Sequence, residues 1–227
     1  MNFAGLQKMT LMDYPQVVSC IIFTQGCNFR CPFCHNSSLV DGVYENEITE
    51  TEILDFLEKR KGLLDGVVIS GGEPLLHSEI YSFIKKVKEL GFLVKLDTNG
   101  SNPDLLKKLV EENLVDYVAM DIKNSPEEYS LASGTEKFLD KITESKDFLL
   151  QNLVDYEFRT TIVKGIHTKD SLLSAAKWIS GAKRYFLQNY KDSGEILSPN
   201  GLSPFNDEEL QTILQELLPV IQSTCIR

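Results

Sequence analysis

Nowhere in the 227 residues does an apolar run approach the roughly 18 that a membrane span requires, and no basic segment leading into an apolar stretch and cleavage site opens the chain. These absences predict a cytoplasmic protein with no membrane partner. Proline, glycine and serine never gather into a linker, and no tract is of low complexity. Basic residues are in deficit, 23 Lys and Arg against 33 Asp and Glu, so the formal charge of −10 opposes attraction to a phosphate backbone. Nucleic acid is not an expected partner. Cysteine is scarce as well: five residues, an odd number in a chain without a secretory signal, which argues against a disulfide framework.

What is present is the balance of a globular protein, with 42% hydrophobic and 25% charged residues at a length ordinary for one α/β domain. Six β-branched or aromatic runs read as strands: Val17 to Phe23, Gly66 to Ser70, Phe92 to Asp97, Val115 to Met120, Glu157 to Val163 and Arg184 to Gln188. A helical pattern follows each. Thr49 with Glu52 forms a capping box ahead of Ile53, Phe56 and Leu57, expected to be buried. A second helix follows Ser78, turns Ile80, Phe83, Ile84 and Val87 inward, and stops at Gly91. The third opens at Asn102 with Pro103 in its first turn and places Leu105, Leu106, Leu109 and Val110 inward. Leu139, Ile142 and Leu149 mark a fourth, and Ser171 to Ile179 a fifth. Asp207 to Ile221 is the last, with a stripe of Leu210, Ile213, Leu214, Leu217 and Leu218.

Six strand-then-helix units with apolar strands imply parallel pairing through right-handed crossovers, either as a doubly wound sheet or as an incomplete barrel. Both architectures place ligands at the C-terminal ends of strands. Polar and Gly-rich segments do follow the strands: Thr24 to Asn36, Gly71 to Pro74, Thr98 to Gly100 and Asp121 to Lys123.

The first of these segments holds Cys27, Cys31 and Cys34. Spacings of four and three let a short loop wrap an iron–sulfur cubane with thiolates on three corners, leaving the fourth iron open for a ligand. The alternative is zinc held by the same thiols with His35, although adjacent residues rarely both reach one tetrahedral ion. Cys20 falls inside a strand and Cys225 near the C-terminus, as a packed thiol and a loose one.

Gly71-Gly72-Glu73-Pro74 follows an apolar strand; its glycines permit close approach of backbone to a ligand and Glu73 supplies an anion, or the segment is simply a turn. Asp97-Thr98-Asn99-Gly100 and Asp121-Ile122-Lys123 offer hard oxygens at the next two strand ends, or helix caps and a surface lysine. Arg159, Thr161, Val163, Gly165 and Gln188 on the last two strands are candidates to complete a pocket. His77 and His167 show no partner in sequence.

The CxxxCxxC loop with Phe33 before its last cysteine resembles the signature of the radical S-adenosylmethionine (SAM) superfamily. Gln25-Gly26-Cys27 continuing into Cys34-His35-Asn36 is similar to the activases of glycyl radical enzymes. Gly5-Leu6-Gln7-Lys8 through Asp13-Tyr14-Pro15 resembles the branch of anaerobic ribonucleoside-triphosphate reductase activating proteins. The resemblance covers nearly the whole chain. It implies an open partial (β/α)6 barrel, TIM-like and parallel, in a single domain over 1–227: lead-in to about 16, barrel over 17–190, C-terminal loop and helix over 191–227. It also implies a 4Fe-4S cluster on Cys27, Cys31 and Cys34, and SAM bound with Phe33, Asn36, Gly71, Gly72, Glu73, Asp97, Asn99, Asp121, Lys123, Arg159 and Gln188. A Na+ or K+ ion is implied at Asp97, Thr98 and Asp121. The implied partners are a glycyl radical enzyme as protein substrate and a flavodoxin or ferredoxin as electron donor. A pyruvate formate-lyase-type partner, a radical SAM enzyme acting on a small molecule such as a deazapurine synthase, and an iron–sulfur electron carrier are the other readings.

Overall fold

The structure is a computed structural model that describes residues 1–41, 47–192 and 194–227. In chain order its elements are β1 (Asn2–Phe3), β2 (Gly5–Thr10), β3 (Ser19–Thr24), α1 (Ser37–Asp41), β4 (Ile48–Thr49), α2 (Glu50–Glu58), β5 (Gly66–Gly71), α3 (Ile80–Glu89) and β6 (Leu93–Thr98). There follow α4 (Pro103–Glu111), β7 (Tyr117–Asp121), α5 (Tyr129–Ser133), α6 (Leu139–Leu149), β8 (Asp155–Ile162), α7 (Lys169–Trp178), β9 (Tyr185–Asn189), α8 (Asp207–Leu217) and β10 (Thr224–Ile226).

One eight-stranded sheet has the order β10-β9-β8-β7-β6-β5-β3-β2. Every neighbouring pair is parallel except β2 with β3. Each of the six sequence-read strands has its counterpart here, within a few residues at either end. The two outermost strands are additions: β2 comes from the lead-in and β10 from the C-terminal segment, and both are short or largely exposed.

Alternation along the strands decides between the two architectures. Cys20, Ile22, Val67, Ile69, Val94, Leu96, Val118 and Met120 point to the large core, which they share with Phe83, Ile84, Leu106, Leu109, Ile142, Leu172 and Ala175 of the helices. Ile21, Val68 and Tyr117 point the other way and form a separate small cluster with Tyr14. The helices therefore cover one face, and the opposite face closes on its own side chains, as inside a barrel. A doubly wound sheet would carry helices on both faces. Among the described residues β2 and β10 do not pair with each other, so the barrel is open and partial.

The helix ends follow local chemistry. The capping box of Thr49 and Glu52 is present, and Asn102 caps α4 with Pro103 behind it. The α3 helix starts after Glu79 with no side-chain cap, so Ser78 does not cap it. Phe56 and Leu105 are half-buried rather than inside, and α8 ends at Leu217, leaving Leu218 at the surface. The small β1–β4 ladder is pinned by Phe3, fully buried with its ring 4.7 Å from that of Phe83. No helix among the described residues is long and apolar enough to cross a membrane.

Candidate active site

A cavity opens at the C-terminal ends of the central strands, with about 1000 Å³ of empty space up to and including its mouth. That is room for a small-molecule ligand. Cys27, Cys31 and Cys34 line it together with Phe33 and Asn36 of the same loop, Gly71 and Gly72 after β5, Asp97, Thr98 and Asn99 after β6, Asp121 and Lys123 after β7, Arg159 and Thr161 of β8, and Gln188 of β9. Residues scattered over 160 positions of sequence thus share one wall because parallel strands end side by side. Glu73, Val163 and Gly165 are not in the lining. Val163 is buried in the core, and Gly165 packs against the Gly201 carbonyl.

The cysteine loop is braced from four directions. Gly72 lies so close beneath it that a Cβ there would overlap the Gly26 carbonyl oxygen, while the Glu73 N–H donates to that same oxygen at 2.9 Å. His77 Nε2 donates to the Gln25 carbonyl at 2.7 Å. Behind the loop, Gly134 ends α5 in the left-handed region, and a Cβ on it would overlap the Arg30 carbonyl. From the C-terminal segment, Leu197 N–H donates to Cys34 O at 3.1 Å and Ser198 N–H to Pro32 O at 2.9 Å.

The donor set fits a cluster. Cys31 is buried and its thiol is pushed up to about 12 by desolvation; burial raises Cys27 as well, while the Lys123 ammonium pulls both down. Thiols so enclosed ionise only opposite added positive charge, which ligated irons provide. The Phe29 N–H lies 3.4 Å from Cys27 Sγ, a sulfur hydrogen bond of the kind that tunes such clusters. Among the described residues no three His, Cys, Asp or Glu side chains are gathered around a single ion, and His35 stands at the cavity rim. Three thiols spread along one wall suit separate irons better than one tetrahedral zinc.

The acids and bases form an alternating chain. Lys95 pairs with Asp97 Oδ1. Asp97 Oδ2 accepts from Ser70 Oγ at 3.0 Å and pairs with Arg159 at 3.3 Å, and Arg159 Nε donates to Asp121 Oδ1 at 3.0 Å. Asp121 Oδ2 then meets Lys123 at 3.0 Å. Burial alone would raise both carboxyls, but Arg159 with Lys95 holds Asp97, and Arg159 with Lys123 holds Asp121, well below the usual carboxylate range. The oxygens expected to take Na+ or K+ are therefore met by the protein's own cations, and Thr98 Oγ1 donates to Glu73. Asp97, Thr98 and Asp121 nevertheless share one stretch of the cavity wall.

Glu73 lies behind the cavity wall. It is fully buried and turned from the cavity, accepting from Thr98 Oγ1 at 2.8 Å and from the Asn99 N–H at 2.6 Å. It holds the β6 loop, whose Asn99 side chain donates to Asn28 of the cysteine loop at 2.8 Å. His167, without a visible partner in sequence, is 4% exposed: Nδ1 accepts the Val163 N–H at 3.1 Å and Nε2 donates to the Lys123 carbonyl at 2.8 Å. Its ring stands edge-on to Phe33, and burial keeps it below the ordinary histidine range, hence neutral. Phe29, Val40 and Ser70 line the cavity without having been singled out. Only their nearness to motif residues signalled them.

A model of the radical SAM superfamily matches residues 21–179. The chain is 33% identical over 196 residues to a putative glycyl-radical enzyme activating enzyme of Methanocaldococcus jannaschii, covering 83% of this chain and 79% of that protein. It is 32% identical over 139 residues to a pyruvate formate-lyase-activating enzyme of Clostridium pasteurianum, covering 59% and 57%. The crystal structure of Streptococcus suis SuiB bound to S-adenosylmethionine superposes with a TM-score of 0.70 at 14% identity, over 89% of this chain and 48% of that one, a likeness of fold. With its three-cysteine loop, its open parallel barrel and these matches, the chain belongs to the radical SAM superfamily and is an enzyme of that class.

Proposed function

We propose that this enzyme is an activase: with SAM and a 4Fe-4S cluster on Cys27, Cys31 and Cys34, it removes a hydrogen atom from a backbone glycine of a partner enzyme, an anaerobic ribonucleoside-triphosphate reductase. A 4Fe-4S cluster held by Cys27, Cys31 and Cys34 would supply, from a flavodoxin or ferredoxin, the electron for reductive cleavage of SAM, and the cleaved SAM would supply the acceptor for the glycine hydrogen. The protein's part is to bind, orient and exclude water. Gly71 and Gly72 let the ligand lie against backbone. Asp97 and Asp121 would turn oxygens toward its polar end, and Lys123 and Arg159 would offer charge-assisted contacts to its carboxylate. Phe33 walls the cysteine side, and Asn36, Asn99, Thr161 and Gln188 offer polar contacts around the rest.

The observation that carries this reading is the sharing of one cavity by three thiols and the alternating acids and bases of three neighbouring strands. An electron carrier has no use for that second half. The name of the Methanocaldococcus relative supports a glycyl radical enzyme as the substrate. Glycine suits the chemistry, since it admits close approach and its α-radical is stabilised by the flanking amide groups. The Clostridium relative favours a second partner, an enzyme of the pyruvate formate-lyase type. Asp97, Thr98 and Asp121, neighbours on the cavity wall, would be the oxygens for a Na+ or K+ ion beside SAM.

The test is anaerobic incubation of the reconstituted protein, SAM and a reductant with each candidate partner. A glycine-centred doublet in the electron paramagnetic resonance spectrum, with 5′-deoxyadenosine formed in step, is expected. Continued SAM consumption with a small metabolite and no protein radical would overturn the activase reading and leave superfamily membership intact.

A further inference from the structure

Lys123 stands two residues past the end of β7, beyond the last ladder pair of that strand, Asp121 opposite Arg159. Ile122 is still tied to β8: its N–H donates to the Arg159 carbonyl at 2.8 Å and its carbonyl accepts from Thr160 Oγ1 at 2.7 Å. Among the described residues Lys123 has no ladder partner. Its carbonyl accepts instead from Nε2 of His167, at 2.8 Å.

His167 belongs to the loop after β8, and both of its ring nitrogens are engaged. Nδ1 accepts the N–H of Val163, four residues back, at 3.1 Å, so the ring proton resides on Nε2, where a carbonyl meets it. The residue is 4% exposed and its ring stands edge-on to Phe33. Shaping the loop requires only the near nitrogen. The far one reaches 44 positions back in sequence, to the residue whose side chain lines the cavity.

A side chain is aimed only as well as the backbone that carries it is held. The Lys123 ammonium has three donors, and Asp121 Oδ2 engages it at 3.0 Å. A Lys123 carbonyl deprived of its donor would have to turn toward another, because a buried backbone oxygen left without one is costly, and the ammonium would move with the peptide.

We propose that His167 is a positioning residue: its Nε2–H anchors the peptide from which the Lys123 ammonium reaches the carboxylate of SAM. The inference rests on SAM being the ligand of this cavity, and not on which partner is activated.

The experiment separates the two ring nitrogens. His167→Asn retains an acceptor for the Val163 N–H but is too short to reach Lys123, whereas His167→Gln sets an amide N–H where Nε2 stands. SAM affinity of the anaerobically reconstituted protein, read by calorimetry, should fall about tenfold in His167→Asn and stay within about twofold of wild type in His167→Gln, with iron content unchanged in both. In a Lys123→Met background the further loss from His167→Asn should vanish, since the anchor then has no ammonium to aim. A role confined to the β8 loop gives the reverse order, His167→Asn tolerated and His167→Gln weakened, and would overturn the proposal. So would a loss from His167→Asn that persists in Lys123→Met. Iron missing from His167→Asn would overturn it too, placing the effect at Phe33 and the cysteine loop. Where His167→Asn does not fold, His167→Gln decides alone: wild-type affinity upholds the proposal and a marked loss overturns it. Wild-type protein that binds no SAM would remove the premise, and it is distinguishable from these outcomes because it shows before any substitution is made.

Discussion

Glu73 reaches across to the neighbouring strand's loop, where its Oε2 accepts the backbone N–H of Asn99 at 2.6 Å. Oε1 takes Thr98 Oγ1 and the Leu75 N–H. Burial, the largest influence, pushes this carboxyl up from 4.5 to about 7 against the pull of its donors. Between those values the folded chain holds a proton that the unfolded chain has released. The stability contributed is full below about 4.5 and is lost as pH rises through about 7. Glu73→Gln has nothing to titrate there. In thermal melts from acid to neutral pH, the wild type's lead over Glu73→Gln should shrink as pH rises; parallel curves would show that Glu73 does not titrate in this range.

Gly72 and Gly134 support the cysteine loop from opposite sides, and a Cβ on either would overlap a loop carbonyl. Neither carbonyl can yield without moving Cys27 or Cys31. Gly134 lies outside the cavity, so Gly134→Ala separates loop support from ligand contact. It should reduce iron incorporation while leaving the far-ultraviolet circular dichroism unchanged. Gly62→Ala is the control, since Gly62 has a similar positive φ and a Cβ there meets nothing. Equal iron content in both variants would show that the loop gives way freely.

Anaerobically reconstituted protein should carry about four irons per chain, and Ala at Cys27, Cys31 or Cys34 should abolish the cluster's absorbance. Cys20→Ala and Cys225→Ala should keep it. Cys20 is fully buried against the core, so its loss costs on the order of 1 kcal/mol of stability, while Cys225 is exposed. Stoichiometric zinc in protein purified without oxygen would return the loop to a single-ion site.

Below the barrel floor, fully buried Glu157 is held by Arg227, whose two nitrogens donate at 2.9 and 3.2 Å, and by the Tyr117 hydroxyl at 2.7 Å. Arg227→Ala strands that carboxylate. Because Arg227 is partly exposed, a cost of about 2 kcal/mol is expected in chemical denaturation, below that of a fully buried pair. Tyr117→Phe should cost about 1 kcal/mol. Neither should change iron content, and an unchanged midpoint for Arg227→Ala would show that water already solvates Glu157.

Much of the fold was readable along the chain because its signals are local. Val67-Val68-Ile69 is apolar on both faces, Thr49 and Glu52 cap by contact three residues apart, and Cys27, Cys31 and Cys34 declare themselves by spacing. The rule that polar segments follow parallel strands was enough to gather Asp97, Asp121, Lys123 and Arg159 at one end of the sheet, where the cavity lies. The edges were not readable: β2 is exposed along most of its length and β10 is three residues long, so neither carries an apolar run.

What the sequence by itself determined was therefore the order of the parallel units and the chemical inventory of their ends, both carried by neighbours in the chain. Only the tertiary structure decided how that inventory is spent. Which face the helices cover made the sheet a barrel rather than a doubly wound layer. The inward turn of Lys95 and the cross-strand reach of Arg159 bring cations to Asp97 from its own strand and from β8. The fully enclosed seat of Glu73 ties it to the β6 loop, a contact that its motif does not announce. A carboxylate's role depends on which charges and donors stand within about 3 Å of it, and those come from strands distant in sequence, so spacing along one strand cannot report them.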